Sequence, residues 1–159
     1  MVTRTPQPGC VRRVLGALHV STETDKAVVG RFFEQAINQR HYDVIDEVVA
    51  SDFVLHSALL GEVHGGDAYK QSVLGLLNPC TDFHATVEDL IGAEGDTVVT
   101  RLTYRGTDTG GFVRGHAATG KPFEFGAIYI WRLSNGKLAE LWQEADRVRL
   151  MQQLGILAS

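Results

Sequence analysis

Asn135-Gly136, set between two long runs of alternating apolar and polar residues, is the feature that most constrains this chain. Both central residues of a tight hairpin turn need positive φ, and Asn-Gly adopts it at least cost. The runs Phe123–Leu133 and Leu138–Ala145 are therefore read as antiparallel neighbours, with Ser134 opposite Lys137. An unbroken ladder then puts Ile130 opposite Leu141 and Ile128 opposite Gln143 on one side, the side expected to line a cavity. Tyr129 opposite Trp142, and Trp131 opposite Glu140, fall on the other. Any bulge in the pair shifts this by one residue and swaps the faces.

The rest of the chain divides into helices first and strands after. Thr22 with Asp25 three residues on makes a capping-box-like start, and Val29, Phe32, Phe33, Ala36 and Ile37 then recur on one helical stripe. His41–Ala50 reads as a shorter second helix, Asp52–Ser57 as a short strand and Gly61–Gly66 as a loop. Asp67–Leu77 is a third helix, stopped by Asn78-Pro79 because the residue before proline avoids helical geometry. Phe83, Ala85 and Val87 alternate with polar neighbours; 93–96 is a turn. Thr97–Arg105 alternates Val98, Thr100, Leu102 and Tyr104 against Val99, Arg101, Thr103 and Arg105. A glycine-rich excursion spans Gly106–Gly120, and a final helix from about Asp146 to Leu154 ends at Gly155. The expectation is an α+β fold, with the helices filling one face of a strongly bent antiparallel sheet.

Length and composition set bounds on function. At 159 residues, 44% hydrophobic and 21% charged, the chain has the size and make-up of one globular domain, placed at 21–155. A net charge of −4 gives no electrostatic ground for nucleic-acid or membrane binding, and no apolar run is long enough to span a bilayer. Cys10 and Cys80 are too few for a disulfide framework and fit a reducing cytoplasm. Residues 1–20 read as a flexible segment or an upstream start. The apolar run Val14–Leu18 after Arg12-Arg13 is too short for a secretory signal, and His19 interrupts it. His64, His84 and His116 show no metal-ligand spacing, so no metal site is expected.

Four stretches in order carry a family resemblance: Gly106-Thr107-Asp108-Thr109-Gly110, then Ala118-Thr119-Gly120-Lys121, then Gly136 through Trp142, and finally Asp146 with Gln152-Gln153-Leu154-Gly155. Over about residues 24–155 the chain resembles the SnoaL-like polyketide (ester) cyclases. The resemblance implies the cone-shaped α+β barrel of the nuclear-transport-factor-two-like superfamily, with three N-terminal helices and a short C-terminal one. It also implies a hydrophobic pocket, acid/base chemistry on a small hydrophobic carbonyl compound, and no cofactor. In those cyclases the acid/base group is an aspartate just after the tryptophan of the Gly-Lys…Glu…Trp strand, which here is Gln143. Their accompanying histidine would fall at Ile128 or Tyr129. The Arg-x-Asp pair of the related epoxide hydrolases reads Arg101-Leu102-Thr103.

Glutamine cannot titrate, so it can orient a carbonyl but cannot take a proton. Acid/base work is therefore expected to fall on His56, with Arg101 and Gln143 orienting the carbonyl. Each has a plainer use: His56 as a hydrogen-bonded histidine near the pocket mouth, and Arg101 as the partner of Glu124 or Asp146. Asp146 is better explained as the cap of the last helix than as a catalytic group. Phe33, Ile37, Tyr69, Thr103, Ile128 and Ile130 are the expected ligand-binding positions, and Gly106–Gly120 a flap over them. Tyr129, Trp131 and Trp142 form an expected aromatic patch, used for a homodimer or else buried under the N-terminal segment. Two functions remain open: a cyclase, isomerase or hydratase, and a non-catalytic ligand-binding or dimerisation module that kept the pocket without its carboxylates.

Overall fold

A computed structural model describes residues 22–58 and 60–158. Helix α1 runs over residues 22–31 and continues as a π-helix over Phe32–Asn38. Thr22 is already helical, and the whole 1–20 segment lies outside the described residues. The wider π turn lets Phe32, Phe33, Ala36 and Ile37 all bury on one side. Helix α2 (Asp43–Val48) is shorter than the sequence suggested, because Val49 is already extended and opens strand β1 (Val49–Ser57). After β2 (Gly61–His64) comes helix α3 (Gly66–Leu77), then β3 (His84–Ala93), β4 (Thr97–Thr107), β5 (Pro122–Ser134), β6 (Lys137–Ala145) and helix α4 (Arg147–Leu154).

The strands form one six-stranded sheet in the order β2-β1-β6-β5-β4-β3, strongly curved about the helices. This is the expected α+β cone, with two differences. β2 replaces the expected loop: its short, exposed, polar sequence carries no alternation and is held as a strand by its ladder to β1. The sheet is also mixed, because β1 pairs parallel to β6. The connection from β1 to β6 contains most of the domain, and local patterning cannot report the direction in which such distant strands meet.

The hairpin turn is as expected, with Asn135 at φ 51° and Gly136 at φ 73° and Ser134 opposite Lys137. The ladder beyond it is not. Leu133 pairs with Leu138 but Arg132 pairs with Glu140, so Ala139 is the extra residue of a bulge. From there on, Trp131 opposes Leu141, Ile130 opposes Trp142, Tyr129 opposes Gln143 and Ile128 opposes Glu144. The physical reason is burial. Leu138 and Leu141 are both fully buried, and residues three apart share a face of a strand only across a bulge. On β5 the buried set is Phe123, Phe125, Ala127, Tyr129, Trp131 and Leu133, so Ile128 and Ile130 face outward. Tyr and Trp each bury roughly 150–250 Å², more than the isoleucines they displace from the interior. The convex aromatic patch expected from Tyr129, Trp131 and Trp142 is thereby corrected: only Trp142 stands on that face.

Trp131 is the centre of the packed end. Phe32 and Phe33 meet its ring edge-on at 5.4 and 5.9 Å, and its Nε1–H donates to the buried Thr100 hydroxyl at 3.2 Å. α1 packs close against β3 at Gly92, where a Cβ would lie 1.9 Å from the Thr22 methyl. The glycine-rich excursion is anchored rather than held by glycines alone. The buried Asp108 carboxylate accepts from Phe112 N at 2.6 Å and from Thr119 N and Oγ1, both at 2.9 Å. Phe112 is thereby set against Phe83 and Phe123 at ring distances of 5.7 and 4.5 Å.

Burial alone would raise the Asp108 pKa, but these donors outweigh it and hold the carboxyl below its ordinary value. Its contribution to stability is therefore present above the ordinary aspartate range and lost as pH falls through the lowered value. We expect Asp108→Asn to cost about 2 kcal/mol, read from the urea midpoint, since donors built for a carboxylate then face an amide. The variant should also lose part of the acid limb of the stability-against-pH curve.

Candidate functional site

Alternation through the bulge decides which side chains enter the cone. Ser57, Gln143 and Tyr129 are cross-strand neighbours on β1, β6 and β5, sharing the inner face with Leu55, Leu141 and Trp131. Tyr104 projects inward from β4, its ring 6.2 Å from that of Tyr129. Tyr69 comes from α3, its ring 4.4 Å from Phe53 and 6.0 Å from Phe32. Three tyrosines, each 5% exposed, thus join Gln143 and Ser57 in a mostly apolar interior.

Tyr104 and Gln143 both lie near enough to Tyr129 to favour its ionised form, against the effect of burial. Burial pushes the Tyr129 phenol up to about 12, and pushes Tyr69 and Tyr104 well above the ordinary phenol value. Mutual repulsion among the prospective phenolates adds to both. All three therefore stay protonated through the neutral range and act as donors, not as bases. Among the described residues, the buried charged side chains are Asp25 and Asp108. Asp108 is committed to its loop, and Asp25 lies by Asp96 at the β3–β4 turn.

The positions expected from sequence divide between the two faces. Phe33, Ile37 and Tyr69 are buried inside, and Gln143 points inward beside Tyr129. Thr103 lies on the outer face of β4 with Arg101, and Ile128 and Ile130 are 53% and 41% exposed, so their expected place against a ligand is corrected by the register. His56 alternates with the buried Leu55 and stands outside, stacked on Trp142 at 5.0 Å. Its ring nitrogens lie 3.2 Å from Glu62 and 2.9 Å from Glu140. Arg132 binds the other Glu140 oxygen at 2.7 Å and sits 5.0 Å from the Trp142 ring centre. Arg101 pairs with Asp89 at 2.6 Å, on the neighbouring strand, rather than with Glu124 or Asp146. Asp146 caps α4, accepting from Arg149 N at 3.0 Å.

Sequence reasoning does not reach Tyr104 and Tyr129 as site residues. The alternation that turns Tyr104 inward is visible in the sequence, but Tyr129 enters only once Leu138 and Leu141 are seen to demand a bulge. A separate open cleft of about 520 Å³ lies between α2, the start of β1 and the β5–β6 turn, edged by Asp46, Asp52, Asp67 and Lys137. No set of three residues that could hold a metal ion occurs among the described residues.

The SnoaL-like polyketide cyclase profile matches residues 27–154, nearly the whole described domain. The chain belongs to that family. Among solved structures, TsrD from Streptomyces laurentii is 25% identical with a TM-score of 0.75, over 85% of this chain and 97% of TsrD. IdmH from Streptomyces antibioticus, a candidate polyketide cyclase, is 26% identical with a TM-score of 0.71, over 82% and 98% of the two chains. A SnoaL-like cyclase candidate from Jannaschia Sp. CCS1 shares the fold at 18% identity and TM-score 0.78, over 98% and 99%. No curated protein matches the chain in sequence. Membership of this family supports a cyclase- or isomerase-type function. No helix among the described residues is long and apolar enough to cross a membrane.

The buried phenols link this site to alkaline stability. A raised folded-state pKa gives stability that is full below the unfolded phenol value near 10 and lost as pH rises toward about 12 for Tyr129. Absorbance titration should therefore show Tyr69, Tyr104 and Tyr129 ionising late and together with loss of structure. In Tyr129→Phe the alkaline midpoint should move to higher pH.

Proposed function

We propose that this SnoaL-like protein is a cofactor-independent enzyme that binds a small hydrophobic carbonyl compound inside the cone and promotes cyclase-type acid/base chemistry on it. The observation that carries this reading is the inward orientation of Gln143 beside Tyr129, in a mostly apolar interior. Gln143 occupies the position that the family resemblance assigns to the acid/base aspartate, so the chain keeps the place of the reacting group while changing its chemistry. An amide and neutral phenols polarise a carbonyl by donating hydrogen bonds; they do not remove a proton at neutral pH. Such a site accelerates enolisation of compounds whose α-proton is already acidic: water or a buffer base takes the proton, and the donors stabilise the charge that develops on oxygen.

The test is deuterium exchange at the α-carbon of a bound 1,3-dicarbonyl compound. Wild type should exchange it faster than buffer does. Gln143→Asp should raise the rate further, by roughly 10²-fold or more, since burial lifts the carboxyl toward the range of a working base. His56→Asn should leave the rate unchanged, because its ring stands on the opposite face of β1. Absence of exchange in wild type, with undiminished binding, would favour the non-catalytic ligand-binding module.

The outer face supports a second proposal, a homodimer. Ile91, Val99, Ile130, Trp142 and His56 are successive cross-strand neighbours, forming a transverse row, and Ile128 lies beside it. Ile91, Ile128 and Ile130 are 57%, 53% and 41% exposed, more apolar surface than a lone sheet face ordinarily leaves wet. Arg101–Asp89 on one flank and Arg132–Glu140 on the other present both signs of charge, which suits a self-complementary two-fold contact with a second copy. Sedimentation should give a dimer at micromolar concentration. Ile130→Asp should return a folded monomer, since an unpaired charge in such an interface costs several kcal/mol; a monomeric wild type would refute the pairing.

A further inference from the structure

The apolar row on the outer face begins beside the point where the described chain begins. Ile91 of β3 opens that row and is 57% exposed. Its neighbour Gly92 lies against Thr22, the first described residue of α1. β3 is an edge strand, so no further strand separates Thr22 from the outer face on that side. Passing round one sheet edge takes a few extended residues at about 3.3 Å each. Residues 1–20 therefore have the length to reach the row.

Their sequence matches that surface in pattern and charge. Val11, Val14, Leu15 and Leu18 recur at the spacing of one helical stripe, with Arg12 and Arg13 off it. A helix over 11–18 would be about 12 Å long, against about 19 Å for a row crossing five strands. Residues 1–20 hold Arg4, Arg12 and Arg13 and no carboxylate. The remainder holds all 19 acidic residues and the other twelve of the 15 lysines and arginines. On the outer face Glu144, opposite Ile128, is exposed and has no ion-pair partner among the described residues.

We propose that residues 11–18 dock their apolar stripe on the Ile91, Val99, Ile130 and Trp142 row of the same chain and compete there with a second copy. This inference rests on the outer face being the homodimer interface, and it adds the device that regulates pairing. Docking within one chain acts at an effective concentration near the millimolar range, so a weak contact suffices against micromolar protein. Both copies must release their segments before they pair. The occupancy of the segment therefore enters the dimer dissociation constant twice and the exposure of the face once.

The experiment uses the full chain carrying Ile130→Cys or Ile91→Cys, alkylated with iodoacetamide at nanomolar concentration, where copies are apart. Labelling is read at the introduced residue by peptide mass spectrometry, so that Cys10 and Cys80 do not interfere. Adding Leu15→Glu should speed labelling about threefold and, in the chain without the new cysteine, lower the dimer dissociation constant about tenfold, near the square. Gln7→Glu, the same charge change off the stripe, should alter neither. Equal labelling with and without Leu15→Glu would overturn the proposal while leaving the homodimer reading intact. A dimer weakened by Leu15→Glu would also overturn it, since the segment would then support pairing. Faster labelling with no dimer in either chain keeps the docked segment, refutes its competition with a second copy and removes the homodimer reading.

Discussion

The bulge at Ala139 is the constraint on which the rest of the site depends. It exists because Leu138 and Leu141 must both be buried, and two such side chains outweigh the loss of one regular ladder position. With the bulge in place, β5 presents Tyr129 and Trp131 to the helices, and Tyr129 becomes the inner-face neighbour of Gln143. Without it the isoleucines would face the cone and the two aromatics would lie on the convex surface. One inserted residue therefore determines both the polarity of the interior and the character of the outer face.

The interior that results is polar in a restricted sense. It holds donors whose burial keeps them neutral, within walls supplied by the π-helical end of α1, by Phe53 and Leu55 of β1, and by Phe112 from the Asp108-anchored loop. A low dielectric strengthens each hydrogen bond there and makes any unbalanced charge costly. On the outer face the arrangement is reversed. His56 and Arg132 pack on Trp142 and are joined to Glu62 and Glu140 in one hydrogen-bonded group, while the isoleucine row beside it is exposed among the described residues. Basic and acidic residues that resemble catalytic groups in sequence are satisfied by one another on that surface.

Much of the fold was legible in the sequence because its signals are local. The Asn135-Gly136 turn, the apolar stripe of α1, the stop at Asn78-Pro79 and the Gly155 cap each follow from the φ preferences or periodicity of a few adjacent residues. The motifs in order were likewise enough to indicate the family, and Gln143 and Tyr69 were found on the inner face as expected. What misled was the assumption of an unbroken ladder, which reversed Ile128 and Ile130 against Tyr129 and Trp131. His56 and Arg101 were singled out for their chemistry, and residue type carries no information about the side of a sheet on which it lies.

By itself, then, the sequence determined the element order, the hairpin, the α+β class and the replacement of the family's aspartate by Gln143, all of which are matters of composition and short-range geometry. The tertiary structure alone decided the faces. The parallel pairing of β1 with β6 joins segments more than eighty residues apart, and the bulge is set by competition among side chains on three strands and two helices for one interior. Because side chains alternate with a period of two, a single residue of slip decides whether a group meets a ligand or the solvent. That choice is made by the total burial of the packed core, a quantity that no single strand contains.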